Sequence, residues 1–225
     1  MSRGLVALGD SITNGEGEAV LGVRCQSWAL WLARALDLPF TSYASDGALS
    51  DDVVREQLPR VRADHDLACV YVGVNDARSL AWDPARFEAN LRVLLAALGE
   101  RAARVAVLTV PVDLGRPPAA GRREAGGVIR RAAAETAAVV ADLDDFAGRR
   151  LVMPDAVHPT ALGQVDIAER VATALAAAGM AVPVRPWELV EVERRRRRRL
   201  RYELTYTRWL ARDLWRRGVE RVRGP

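Results

Sequence analysis

Three short polar runs each contain a residue type able to do chemistry: GDSIT at Gly9–Thr13 with Ser11, GVND at Gly73–Asp76 with Asn75, and DAVHP at Asp155–Pro159 with His158. A fourth run, Ser45–Asp46–Gly47, offers a glycine amide. A hydroxyl, an imidazole with a carboxylate three residues before it, and amide donors are the parts that acyl transfer requires. A serine hydroxyl is a poor nucleophile at neutral pH and needs a base within hydrogen-bond reach, whose ring must be held in the right tautomer. The developing oxyanion needs donors aimed at it. Taken singly, each residue also has a purely structural use. Ser11 and Asp10 are types that cap a strand-to-helix turn, Asn75 suits an Asx turn, and Gly47 suits a backbone with positive φ.

The runs matter together only if the fold gathers them. Short stretches rich in Val, Leu and aromatics alternate with longer stretches of helical period, the pattern of βαβ units and a parallel sheet covered on both faces. Strands are expected near Gly4–Leu8, Phe40–Ser45, Leu67–Val72, Arg104–Val110 and Ala138–Asp142, with helices near Cys25–Leu36, Ser50–Val61, Pro84–Gly99, Gly121–Ala137 and Thr160–Ala178. This is an α/β, three-layer α/β/α domain with five parallel strands. Open parallel sheets bind ligands outside the carboxyl ends of their strands. Ser11, Ser45–Gly47 and Gly73–Asp76 each follow a strand there, and the DAVHP run opens the last helix of the domain.

In chain order, GDSIT, SDGALS, GVND and DAVHP resemble the four blocks of the SGNH hydrolase superfamily, also called GDSL esterases and lipases, over roughly Gly4 to Ala178. The resemblance implies a flavodoxin-like fold and a serine-dependent ester hydrolase working through an acyl-enzyme. It implies Ser11 as nucleophile, His158 as base and Asp155 as the group orienting that base. The oxyanion hole it implies comprises the backbone amides of Ser11 and Gly47 with the side chain of Asn75, supported by Asp10 and Gly73. Pro159 disfavours helical geometry at His158, leaving Asp155 free to fold back toward the ring. Tyr43–Ala44–Ser45–Asp46 departs from the pattern, lacking the asparagine often found ahead of the glycine. The G-x-S-x-G elbow of α/β-hydrolases is also missing around Ser11. Acyl transfer to an acceptor other than water uses the same residues, and the reading from another class is an anionic-surface-docking protein whose tail does the work and whose hydrolase-like domain merely binds an acylated ligand.

The chain has 225 residues, half of them hydrophobic, enough for one catalytic-sized domain with an appendage. We divide it into a hydrolase domain over 1–180, a proline-bearing linker over 181–186 and an arginine-rich amphipathic helical tail over 187–225. All 33 basic residues are arginine, against 29 acidic ones, and six form the block Arg194–Arg199. Leu200, Leu204, Ala211 and Leu214 recur beyond the block at helical spacing. Such a tail suits packing on the hydrolase domain or a second copy, or contact with a membrane surface; without a nucleic-acid-binding fold beside it, nucleic acid is not an expected partner.

The expected substrate is a small or short-chain ester, because the loops Asn14–Val23 and Val112–Arg122 are no apolar lids. Trp28 and Trp31 read as core. No cofactor or metal is implied, and His65, between two aspartates, reads as a surface residue. Cys25 and Cys69 read as reduced thiols, and with neither a leader nor an apolar span in the sequence the expected setting is cytoplasmic.

Overall fold

The computed structural model describes residues 3–114, 120–193 and 196–223. Arg116–Pro118 of the second flanking loop and Arg194–Arg195 of the arginine block lie outside them. Five strands, β1 (Leu5–Gly9), β2 (Phe40–Ser42), β3 (His65–Tyr71), β4 (Ala102–Leu108) and β5 (Val139–Ala141), form one sheet in the order β2-β1-β3-β4-β5. Every pairing is parallel. Parallel strands need crossovers that cover both faces, so central strands read as unbroken apolar runs. LVALG of β1 is one such run, and it is wholly buried.

The helices are α1 (Ser11–Asn14), α2 (Trp28–Ala35), α3 (Ser50–Asp52), α4 (Pro84–Gly99), α5 (Ala120–Thr136), α6 (Ala161–Ala177) and α7 (Arg196–Arg223). Helices α2 and α6 pack together, as do α4 and α5, with α3 against α4. Asp83 caps α4 by accepting the amides of Ala85 and Arg86, with Pro84 at the first helical position, where its missing N–H costs nothing.

Local chemistry moves several boundaries. Ser27 caps the Ala29 amide, so α2 starts at Trp28 and leaves Cys25 outside it. The stretch expected as one helix over Ser50–Val61 changes pitch instead, through a π-helical turn at Val53–Gln57 and a 3₁₀ turn at Leu58–Arg60 that contains Pro59. β2 ends at Ser42 because it is an edge strand, although Tyr43 and Ser45 still donate to the carbonyls of Ala7 and Gly9. The expectation for His65 is corrected: it is buried as the first residue of β3, its amide donating to the Arg101 carbonyl. Trp28 is fully buried, edge-on to Tyr71, and Trp31 lies beside it in the core.

The stretch Ala181–Pro186 runs along the domain. Val184 donates to the carbonyl of Ala35, Arg185 pairs with Glu169 of α6, and Pro186 is buried. Beyond it, the Glu193 amide donates to the carbonyl of Leu21. Helix α7 then lies against the loop after β5, with the Tyr202 hydroxyl donating to the carbonyl of Arg149 at 2.5 Å and Tyr206 buried. Among the described residues no helix is long and apolar enough to cross a membrane.

Candidate active site

At the carboxyl end of β1 the chain has little room. Gly9 has φ +152°, and a Cβ there would collide with the carbonyl of Tyr71 and the side chain of Thr13. Asp10 caps the Ile12 amide at 3.0 Å, which makes Ser11 the first residue of α1. Beyond the end of β2, Gly9 lacks a full strand partner on that side, and Gln57 supplies one. Its side chain accepts from the Gly9 amide at 2.9 Å and donates to the Gly9 carbonyl at 2.8 Å and to Ser45 Oγ at 3.1 Å. The π-helical turn carries Gln57 to this position, where it is almost fully buried.

His158 arrives from the other end of the chain. The loop before α6 is tight: the Met153 amide donates to the His158 carbonyl, and Ala156 takes a left-handed φ of +57°. This folds Asp155 back on His158, with Oδ2 2.7 Å from Nδ1 and Oδ1 accepting the amides of Val157 and His158 at 2.9 and 3.0 Å. His158 Nε2 lies 2.9 Å from Ser11 Oγ. A carboxylate at Nδ1 favours the proton there, leaving Nε2 of the neutral ring to accept the serine hydroxyl. Glu16 Oε2 also lies 2.8 Å from Nε2.

The remaining residues named from the sequence lie close by. Gly47, with φ +74°, is exposed at the tip of a turn tied to α1 by a 2.9 Å bond from Asn14 Nδ2 to Asp46 Oδ1. Asn75 Nδ2 donates to the Ala48 carbonyl at 3.2 Å, which sets its amide beside that turn. Asp76 accepts from the amide and hydroxyl of Ser50, joining the third run to the second. Gly73 has φ +121° and backs onto the ring of Phe87, which a Cβ would strike.

Acidic groups converge on the imidazole. The hydrogen bond to Asp155 raises His158 above its usual range against the opposing effect of burial, and the charges of Asp155, Glu16 and Asp10 add to it. Burial pushes Asp155 up, but the His158 ring and the two backbone amides outweigh it and hold the carboxyl below its usual value. Asp10 behaves oppositely: burial lifts it to about 7 despite the Ile12 amide, and its Oδ2 is buried without a hydrogen-bond partner among the described residues. A cavity of about 190 Å³ opens beside Ser50 and Asp76, walled by Leu49, Trp82 and Phe87, but Ser11, Asp155 and His158 do not line it.

Sequence reasoning missed three contributors. Gln57 stands with Val53 and Val54 at helical spacing, and Gln164 with Ala161, Ile167 and Ala168, so each is a lone amide on an apolar helical face. Gln164 is fully buried; it accepts from the Trp28 amide at 2.8 Å and donates to the carbonyls of Ile12 and Glu16 at 3.1 Å each. That pattern was a readable signal. Glu16 gave none, since its aim depends on a loop whose path no periodicity encodes.

Comparison with known proteins follows the same lines. The GDSL-like Lipase/Acylhydrolase family matches residues 7–165. Axe2, an acetylxylan esterase from Geobacillus stearothermophilus, is similar at 21% identity over 78% of this chain and 96% of its own, with a TM-score of 0.61. LAE5, an alpha/beta hydrolase enzyme from the metagenome of Lake Arreo, Spain, is similar at 22% identity over 76% of this chain and 94% of its own, with a TM-score of 0.62. At these identities the likeness to both structures is one of fold. No curated protein matches the chain in sequence. The family match covers every polar run at the carboxyl edge of the sheet, and the chain belongs to the GDSL-like lipase/acylhydrolase family, the GDSL or SGNH ester hydrolases.

Proposed function

We propose that the protein hydrolyses small or short-chain esters through an acyl-Ser11 intermediate. The observation that carries this reading is the continuous chain from Ser11 Oγ to His158 Nε2, 2.9 Å, and from His158 Nδ1 to Asp155, 2.7 Å. Ser11 Oγ attacks the ester carbonyl carbon as Nε2 takes its proton. The carbonyl oxygen becomes an oxyanion received by the amides of Ser11 and Gly47 and by Asn75. The imidazolium then protonates the departing alcohol oxygen as the C–O bond breaks. Water enters, yields a proton to His158 and attacks the acyl-enzyme, releasing the carboxylic acid and restoring Ser11.

Two observations support a small acyl group. The apolar residues of the loop after α1, Val20, Leu21 and Val23, are buried in the core, which leaves the charged Glu16 as the side chain this loop sets at the His158 ring. Axe2 is named for action on an acetylated substrate. A fluorophosphonate should label the folded protein at Ser11, and Ser11→Ala should abolish 4-nitrophenyl acetate turnover with an unchanged melting temperature. Full turnover by that variant would overturn the reading. Product analysis with added alcohols separates hydrolysis from transfer to another acceptor.

For the tail, we infer contact with an anionic phospholipid surface. Tyr202 and Tyr206 turn one face of α7 to the domain, and on the opposite side Leu200, Leu204 and Trp215 are exposed at 57%, 61% and 74%. Arg197, Arg201, Arg208 and Arg212 flank that apolar stripe, a charge pattern complementary to anionic headgroups and repulsive toward a second copy of itself. The protein should sediment with phosphatidylglycerol-containing vesicles and not with pure phosphatidylcholine, salt and Leu204→Asp each weakening the binding. Dimerisation or nucleic-acid binding without vesicle binding would overturn this assignment.

A further inference from the structure

We propose that Glu16 is a specificity-determining residue: its carboxylate, set against the imidazole nitrogen that must protonate the departing alcohol, disfavours esters whose leaving group is anionic. The inference rests on the reading of His158 as the base and acid of ester hydrolysis. Its geometric basis is one nitrogen with two oxygen neighbours, Ser11 Oγ at 2.9 Å and Glu16 Oε2 at 2.8 Å from His158 Nε2.

Glu16 is fixed there by its backbone. Its amide donates to the Ser11 carbonyl at 2.9 Å and its carbonyl accepts from Gln164 at 3.1 Å. The next residue, Gly17, has φ +149° and meets the carbonyl of Pro159 so closely that a Cβ would collide with it. The loop is thereby pinned to the segment carrying His158. The Glu16 side chain itself is half exposed, so it faces whatever approaches from solvent.

The leaving oxygen must come within about 2.6–3.2 Å of Nε2 to receive its proton. Two oxygens that both lie near 3 Å from one nitrogen are at most about 6 Å apart. A unit negative charge a few bonds into the leaving group therefore sits on the order of 5–8 Å from the Glu16 carboxylate. At the intermediate dielectric of a half-exposed site, that repulsion amounts to about threefold to tenfold in kcat/KM. A cationic leaving group gains by the same attraction, and a neutral one is indifferent.

The same contact acts on the ring itself. When the ring is neutral, the Glu16 carboxylate lies beside the Nε2 that accepts the serine hydroxyl, so its charge favours the imidazolium. The other charged groups facing the ring are Asp155 at Nδ1 and Asp10 from the end of β1, while from α7 Tyr206, with Arg149 over its ring, influences Asp155. Among the described residues Glu16 is the carboxylate with an oxygen at Nε2, the nitrogen that faces substrate.

The test uses three acetates of one shape: 3-acetoxybenzoate, its neutral methyl ester, and 3-acetoxy-N,N,N-trimethylanilinium. The full-length wild type should rank them cation, neutral, anion in kcat/KM. Glu16→Gln should raise the anionic ester relative to the neutral one about threefold to tenfold and move the acid limb of the neutral ester to lower pH. Glu16→Asp should fall between the two. An anion-to-neutral ratio that Glu16→Gln leaves unchanged, or a wild type that does not disfavour the anion, overturns the proposal. If Ser11→Ala still hydrolyses all three esters, the assignment of the nucleophile fails instead, and the two failures are distinct.

Discussion

Asp155 grips His158 at two points, its Oδ2 2.7 Å from the ring nitrogen Nδ1 and its Oδ1 3.0 Å from the backbone amide of the same residue. The ring is thereby oriented by a group that is itself fixed, and its affinity for a proton is raised above the ordinary value of 6.5. Activity that needs the neutral ring must fall as pH drops through this raised value, so the acid limb of kcat/KM for a neutral acetate should lie above pH 6.5. Asp155→Asn should shift the limb down and lower kcat about 10³–10⁴-fold.

The same pair ties stability to pH. The raised imidazole contributes stability that is complete below its unfolded value, 6.5, and is lost as pH rises through the folded one. The depressed carboxyl contributes stability that is complete above its unfolded value, 3.8, and is lost as pH falls through the folded one. Melting temperatures should therefore show Asp155→Asn most damaging between these two values, less so in alkali where the ring is neutral, and least damaging in acid below the folded carboxyl value, where Asp155 is itself uncharged.

Asn75 and Gly47 come next to each other because Asn75 holds the Ala48 carbonyl. If the second amide hydrogen of Asn75 meets the oxyanion, Asn75→Ala should lower kcat about 10²–10³-fold with KM little changed. An unchanged kcat would reduce Asn75 to a brace for the turn.

Gln57 and Gln164 are buried side-chain amides whose partners include backbone groups with no other partner there, the Gly9 amide toward β2 for one and the Trp28 amide and Glu16 carbonyl for the other. Gln164→Leu strands the Trp28 amide and the Glu16 carbonyl, while the Ile12 carbonyl keeps the Gly15 amide. Each buried group left unsatisfied costs about 1–3 kcal/mol, so urea unfolding should register a loss of at least about 2 kcal/mol. Gln57→Leu strands the Gly9 amide and leaves the Gly9 carbonyl with the Ser45 amide alone on that side, and it should cost both stability and rate.

Both thiols should react sluggishly with a disulfide reagent in the native state. Burial, with the Glu18 charge behind it, pushes Cys25 up to about 11, and burial alone pushes Cys69 well above the usual thiol range. Rapid titration of either in the absence of denaturant would contradict the packing described around them.

The central strands and long helices were legible because their sequences answer to one demand, an apolar run or an apolar face. β1 and α4 lie within a residue of their expected bounds for that reason. The three-residue edge strands and the pitch change after Asp52 were not legible, since tertiary partners such as Gln57 decide where pairing stops. His65 misled because flanking aspartates look like a loop, although Asp66 Oδ2 accepts the amides of Arg3 and Gly4 at the start of the sheet. Block order points to Ser11, Asp155 and His158, which the fold brings together, whereas Glu16 meets the ring only through the path of its loop.

The hydroxyl of Ser11 and the ring that touches it are 147 positions apart, and the amide that braces the serine loop comes 152 positions after Ile12. On the proposed mechanism, a growing polypeptide completes its sheet at Ala141 and gains its base only with His158, so the ester-cleaving centre is assembled only after the sheet that carries it.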